Sequence, residues 1–211
     1  MFEILNRTKE WFLDILFPRF CLSCGREGKY ICDKCEVFLS EVLSSKEVFS
    51  IWEYEGLMEK LIWKIKFDGQ YHIIDELVEK AIAKIELNLP EDTYITYVPM
   101  CRKREKQRGF NQAELIAKRM GEKTGRPVVK LLDKIKDNRS QVGLGPQERA
   151  ENVRGVFQFQ TKLNLVQVPS SVLLVDDVYT TGATMNECMK VLKRNGVKNI
   201  WSFTLARKLS I

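Results

Sequence analysis

Apolar and polar positions alternate along this chain with two periods, and the switches between them mark out its elements. Val172 to Val175 are four consecutive apolar β-formers, a run that predicts a strand buried on both faces, as in a parallel sheet covered by helices. Downstream, Met185, Cys188, Met189 and Leu192 recur at i, i+3, i+4 and i+7, which predicts a helix with one face on that sheet and Gly196 as its stop. The helical spacing returns in Met58, Leu61, Ile62 and Ile65, in Ile74, Leu77, Val78, Ala81 and Ile85, and in Ala113, Ile116, Ala117 and Met120. These are three further helices, with Pro90 closing the second. Residues 51–56, 93–98, 128–132, 156–159 and 199–206 have strand character. Strands that alternate with helices argue for an α/β domain.

Two regions carry other patterns. In residues 1–17, Ile4, Trp11, Phe12 and Ile15 fall at helical spacing, with Phe2, Leu5, Leu16 and Phe17 widening the stripe and Pro18 ending it. The simple reading is a helix packed on the next module, and the sharper one a membrane-surface or partner-docking helix. Residues 36–50 read as a helical or extended connector. Residues 133–155 are polar, with Gly143, Gly145 and Pro146 at their middle and Arg139, Gln141, Arg149, Asn152 and Arg154 around them. A connection this long inside a compact domain predicts a flexible lid or binding loop. Residues 160–171 link it to the central strand.

The most informative stretch is Val172-Leu-Leu-Val-Asp176-Asp177-Val-Tyr179-Thr180-Thr181-Gly182-Ala183-Thr184. It places two carboxylates where a buried strand ends, at the edge of an α/β sheet where ligands bind, and follows them with a turn that opens a helix. The turn's amides and the hydroxyls of Thr180, Thr181 and Thr184 suit a phosphate, and Gly182 and Ala183 keep bulk away. Asp176 and Asp177 are acceptors for vicinal hydroxyls or indirect holders of Mg²⁺. The set fits a phosphorylated sugar. A Walker B strand would need a G-x-x-x-x-G-K-[ST] loop, which the chain lacks, and a receiver-type acidic pocket would not need the threonines.

Cys21-x-x-Cys24 and Cys32-x-x-Cys35 stand seven residues apart. Two such knuckles predict a closed tetrahedral Zn²⁺ site whose metal supplies the folding energy of a module too short for its own core. Disulfides and an iron–sulfur cluster are the weaker alternatives. Cys101 and Cys188 lie outside the pattern, Cys188 as a buried helix-face thiol. Arg102, Lys103, Arg104, Lys106 and Arg108 crowd a predicted strand-to-helix loop, suited to pyrophosphate and compatible with a nucleic-acid backbone. Projection toward a ligand is open to Trp63, Lys66 and Phe67, although core packing and a solvated lysine are their ordinary roles. His72, the single histidine, has no partner imidazole for metal or acid–base work. Phe110, Trp52 and Trp63 are candidates for stacking on bases, although core packing is the ordinary use of each.

Composition narrows the class further. The chain of 211 residues has room for one α/β domain and a small appendage, here divided as 1–45 and 46–211. Its net charge of +6, from 34 basic and 28 acidic residues, is a mild lean toward anionic partners. No apolar run approaches the ~18 residues of a membrane span, and Lys9, Glu10 and Asp14 interrupt any secretory pattern. These point to the cytoplasm.

The Asp-Asp/Thr-Thr-Gly-x-Thr stretch resembles the phosphoribosyl pyrophosphate (PRPP) motif of type I phosphoribosyltransferases, with Tyr179 an aromatic where a small aliphatic is usual. Together with the four-Cys pair, Tyr54-Glu-Gly56, Lys66-Phe67, Arg108-Gly-Phe-Asn-Gln112, Arg139-Ser-Gln141 and Arg149-Ala-Glu-Asn152, it is similar to the ComF family of competence-associated proteins. The resemblance implies a Rossmann-like parallel sheet flanked by helices with an N-terminal zinc ribbon. It implies that Asp176 and Asp177 meet the ribose hydroxyls as catalytic residues, that residues 180–184 hold the 5′-phosphate, and that Arg102, Lys103, Arg104 and Arg108 meet the pyrophosphate. The flexible loop with Arg139, Gln141 and Arg149 would close over them. PRPP with Mg²⁺, single-stranded DNA, and other DNA-uptake or helicase proteins are the implied partners. Transfer to an unnamed acceptor and non-catalytic sensing of PRPP or a DNA 5′-phosphate both remain open.

Overall fold

The computed structural model describes residues 18–43, 47–136, 146–161 and 167–209. The predicted helix in residues 1–17 and the loop residues Arg139, Gln141, Gly143 and Gly145 lie outside the described residues.

A four-stranded parallel sheet forms the centre. Its strands are β1 (Val48–Glu53), β2 (Tyr94–Tyr97), β5 (Ser171–Tyr179) and β6 (Asn199–Arg207), in the order β1-β6-β5-β2. Helices α1 (Gly56–Phe67) and α2 (Ile73–Lys84) join β1 to β2. Helices α3 (Arg102–Arg108) and α4 (Gln112–Thr124) follow β2, and α6 (Ala183–Arg194) joins β5 to β6. A two-stranded antiparallel ribbon, β3 (Leu132–Lys134) with β4 (Phe157–Phe159), brackets α5 (Pro146–Val153). Ser171 through Val175 are all buried. Successive strand residues point to opposite faces, so a run like this needs cover on both. Helices α2 and α4 pack together, with α4 also on β2 and β5, while α6 packs with α5 and β4 against β5.

Both sheet edges are covered by short extended pieces rather than full strands, which blunts exposed backbone. Beside β1, Glu41 bridges Trp52 and Val42 N–H donates to the Ile51 carbonyl at 3.0 Å. Beside β2, Val128 bridges Ile95 in parallel, with Ile95 N–H on the Pro127 carbonyl and Val129 N–H on that of Ile95. The strand expected at 128–132 is therefore only a bridge. Its chain peels away at Leu131, whose N–H goes to Thr96 Oγ1, and pairs as β3 with β4. The connection leaving β2 returns on the outer side of β2, and the one leaving β5 returns on the β6 side. The two run in opposite directions, which opens a crevice between the C-terminal ends of β2 and β5.

Two further expectations are corrected. The basic segment is a helix rather than a loop, because its Arg, Lys, Glu and Gln side chains favour helix. Gly109, in the left-handed region at φ 87°, ends it. Asn111 then caps α4, its Oδ1 accepting from Ala113 N–H and its Nδ2 donating to the Val98 carbonyl, each at 3.1 Å. Trp63 and Phe67 do not pack in the core, because both stand off the Met58, Leu61, Ile62 and Ile65 stripe that α1 buries, whereas Trp52 takes the core position that is its ordinary use and is fully buried. Within the predicted flexible loop, residues 146–153 form α5, and Gly155 N–H just after it donates to Glu187 Oε1 at 2.9 Å.

The cysteine module is tied to the main core. Ile31 is fully buried in that core with Leu39, and Glu76 on α2 accepts the backbone N–H groups of Tyr30 and Ile31 at 2.9 and 3.0 Å. Lys60 on α1 donates to the Leu22 carbonyl, and Lys80 and Lys84 on α2 pair with Glu36 and Glu41. We predict that Glu76→Ala, which leaves two amides without their carboxylate, lowers the unfolding free energy in urea by about 1.5–3 kcal/mol or more. A loss below about 0.5 kcal/mol would show that the carboxylate does not anchor the module.

Candidate functional site

Strand β2 pairs with β5 only as far as Tyr97 against Val175, whereas β6 continues alongside β5 to Tyr179. Asp176 and Asp177 therefore overhang β2 and face the crevice. A cleft of about 1040 Å³ opens there, bounded by α1, the Pro99–Met100 turn, α3, the start of α4, Lys134 of β3, and the start of α6. Asp176, Asp177, Thr180, Gly182, Ala183, Thr184, Arg104 and Arg108 all line it. Arg102 and Lys103 are exposed on α3 and are not among its lining. Thr181 is also exposed, its hydroxyl accepting from Ala183 N–H at 3.4 Å. Arg149 lies on α5, at a position whose side chain is not described.

The turn before α6 is shaped by an aromatic. Gly182 has φ 73°, and a Cβ placed on it would fall 2.2 Å from Tyr179 Oη. Glycine is required both for the left-handed backbone and for the ring that lies against it. The Arg207 guanidinium covers that ring at 5.0 Å from its centroid. The unusual aromatic of the motif thus packs on the floor of the turn, and the N-terminal amides of α6 open toward the cleft.

The carboxylates are held differently. Lys66 Nζ lies 2.9 Å from Asp177 Oδ2. The lysine lines the open side of the cleft, so 24% of its side chain stays accessible while protein surrounds most of it. Burial alone would lower its pKa, but the charge and hydrogen bond of Asp177 and the charge of Asp176 raise it. Asp176 is pushed up to about 7 by burial and by the charge of Asp177, against the pull of its own acceptance from Asp177 N–H and of Lys66 and Lys134. Arg108 is lowered by burial and by Arg104, although Asp177 opposes this. Lys66 is not a solvated lysine. It sits four residues after Ile62 and eight after Met58, at the edge of the stripe that α1 buries, and a cation ending an apolar stripe is the signal that could have marked it. Tyr54, Glu59, Lys134 and Lys208 also line the cleft without having been singled out for it.

The second candidate centre is the cysteine module. The sulfurs of Cys21, Cys24, Cys32 and Cys35 lie within 4.8 Å of one another, and all six cysteines of the chain are free thiols. Burial would raise the Cys21 thiol, but the N–H groups of Cys24, Cys32 and Ser23 bring it down to about 6. Cys21 N–H and Gly25 N–H close the first knuckle on Arg26 and Cys21 carbonyls. Four soft donors with amides aimed at sulfur fit a tetrahedral zinc ion. For Mg²⁺ the matching oxygen donors are Asp176 and Asp177, Asp177 already sharing its charge with Lys66. Among the described residues no helix is long and apolar enough to cross a membrane.

Known proteins share sequence and fold with this chain. Residues 106–210 match the family model described as the phosphoribosyl transferase domain. Among solved structures, adenine phosphoribosyltransferase from Leishmania tarentolae is similar over 80% of this chain and 94% of that one, at 13% identity and a TM-score of 0.44. Among curated relatives, competence protein ComFC of Bacillus subtilis is 28% identical over 194 residues, covering 89% of this chain and 77% of that protein. Competence protein F of Haemophilus influenzae is 32% identical over 200 residues, covering 90% of this chain and 85% of that protein. With that identity over nearly all of both chains, and with a phosphoribosyl transferase domain whose parallel sheet ends in the Asp-Asp cleft, this protein belongs to the ComF family and has the type I phosphoribosyltransferase fold.

Proposed function

We propose that the protein binds PRPP in the cleft at the end of β5 and transfers its phosphoribosyl group with release of pyrophosphate, in the cytoplasm, as part of handling DNA taken up by the cell. One observation carries the reading: two adjacent carboxylates, the N-terminus of α6 and the cations Lys66, Arg104 and Arg108 share one cleft. In this assignment Asp176 and Asp177 accept the ribose hydroxyls. The turn from Thr180 to Thr184 surrounds the 5′-phosphate, and Arg104 and Arg108 face the pyrophosphate, with Arg102 and Lys103 adding to the positive field of α3. Arg139, Gln141 and Arg149 belong to the segment assigned to cover the bound ligand.

The chemistry such a site performs is positioning and charge stabilisation. The C1–O bond to pyrophosphate breaks and its electron pair leaves with the diphosphate. The lone pair of an incoming amine or ring nitrogen forms the new bond at C1, and that nitrogen sheds its proton to solvent. With Asp176 and Asp177 as its oxygen donors, Mg²⁺ would supply neutralisation of the leaving group when bound. Lys66 has a distinct part. While it holds Asp177 it keeps the acidic pair tolerable without ligand, and a ribose hydroxyl arriving at Asp177 shares that carboxylate with the ammonium.

A second reading, binding without turnover as a single-stranded-DNA module or a sensor of PRPP or a DNA 5′-phosphate, is favoured by the cationic face of α3 beside exposed aromatics. In either reading the module of residues 1–45 holds one structural Zn²⁺ on Cys21, Cys24, Cys32 and Cys35 and docks on the domain of residues 46–211. DNA-uptake or helicase proteins are its expected protein partners.

Calorimetry with Mg²⁺ and PRPP tests the shared premise. Asp177→Asn is expected to weaken binding about 10- to 150-fold, the range for losing a hydrogen bond to a charged group; unchanged affinity rejects the ribose assignment. Because burial and Asp177 push Asp176 up to about 7 and its ionised form is the stronger acceptor for a hydroxyl, affinity is expected to rise between pH 6 and 8. Asp176→Asn should abolish that rise, and a flat wild-type profile would contradict the role. Pyrophosphate release in a screen of bases and amines separates transferase from sensor. For the metal, purified protein should carry about one zinc per chain, lost in Cys21→Ser with Cys35→Ser; a wild-type protein without zinc would dismiss the site.

A further inference from the structure

One face beside the cleft is not explained by PRPP. At the C-terminal end of α1 and in the loop after it, three large aromatics stand in solvent: Trp63 is 49% exposed, Phe67 61% and Tyr71 44%. They are linked through the Arg108–Phe110 segment. Trp63 and Phe67 have ring centroids 5.5 Å apart, and the Arg108 guanidinium lies 5.6 Å from the centroid of Phe67. Two residues beyond Arg108, the half-buried ring of Phe110 meets Tyr71 edge-on at 5.8 Å, and Tyr71 continues to His72 at 4.2 Å. Phe67 and Arg108 also line the cleft, so the row begins at its mouth. A soluble chain seldom leaves this much aromatic surface in one place without a use for it.

Charge decides what the row receives. Helix α3 borders it with Arg102, Lys103, Arg104, Lys106 and Arg108 against one acid, Glu105. The acids on the aromatic side are already engaged, Asp68 by Lys64 at 2.5 Å and Asp75 by Arg119. The face therefore offers flat apolar rings next to a helix with a net excess of positive charge. Planar rings tethered at short intervals to phosphates match it, whereas an apolar protein surface would use the rings and leave the cations unanswered.

We propose that the row Trp63–Phe67–Tyr71 is a stacking site for unpaired bases of single-stranded nucleic acid, whose phosphates run along α3. The proposal rests on the DNA-handling reading above and adds the surface that does it. Strand affinity here has two separable parts: stacking on the row, which needs bases, and attraction to α3, which needs only phosphates.

The test compares fluorescence anisotropy of a labelled oligo-dT of about 20 nucleotides with an abasic oligomer of the same length and charge. It uses the full-length wild-type protein and the double variant Trp63→Ala with Tyr71→Ala, both residues exposed and outside the cleft lining. Wild type should bind oligo-dT at least about fivefold more tightly than the abasic strand, and the variant should lose that preference. Its affinity for the abasic strand and its calorimetric affinity for PRPP with Mg²⁺ should stay at wild-type values, which also shows that it folds. Equal wild-type affinity for the two strands, or a variant that keeps the preference, overturns the stacking site while leaving DNA binding in place. No binding of either strand overturns it together with the DNA-handling reading, and PRPP affinity then reports separately on the cleft. Sedimentation showing a wild-type dimer that the double variant dissolves would reassign the row to self-association and equally overturn the proposal.

Discussion

Adjacent carboxylates on a strand that has left the cover of one neighbour create a charge problem, and its solution organises this molecule. Asp176 and Asp177 stand where β5 outruns β2, too enclosed for water to screen them fully and too close to ionise independently. Asp177 is matched by Lys66, and Asp176 carries the remaining strain as a raised pKa. The cation comes from α1, an element separated from β5 by more than a hundred residues of sequence. The cleft is thus assembled from both halves of the chain, and its acidic floor persists without ligand because the fold delivers a lysine to it.

The same helix ties the cleft to the cysteine module. Lys60 reaches the first knuckle and Lys66 reaches Asp177, while Glu76, Lys80 and Lys84 of the next helix hold the module from its other side. The segment between the knuckles, through the Tyr30 and Ile31 amides, and the first knuckle, through the Leu22 carbonyl, are hydrogen-bonded to the layer that presents Lys66. The module is better described as a brace for α1 and α2 than as an independent bead.

How much of this could be read from residues varies with distance along the chain. Local signals were strong: the buried run of β5, the stripe of α6 with Gly196 after it, and the paired knuckles. Weaker was the edge of the sheet. Residues 128–132 have strand composition, but only one bridge forms before Leu131 turns to Thr96 and the chain leaves to pair as β3. The basic segment was legible as an anion site in composition and misjudged in geometry. As a helix it turns Arg104, Gln107 and Arg108 into the cleft and leaves Arg102 and Lys103 outside.

Sequence alone determined most of the elements, the Asp-Asp turn and the four cysteines, because each depends on side chains within a few residues of one another and on the period of burial. Tertiary structure decided what those elements meet. The partner of Asp177, the gathering of Trp63, Phe67 and Tyr71 on one exposed face beside Phe110, the burial of Trp52, and the packing of Tyr179 over Gly182 all follow from which strands lie adjacent and how far each extends. Period and composition carry no record of that, since contacts between distant segments are set by the whole core's closing at once.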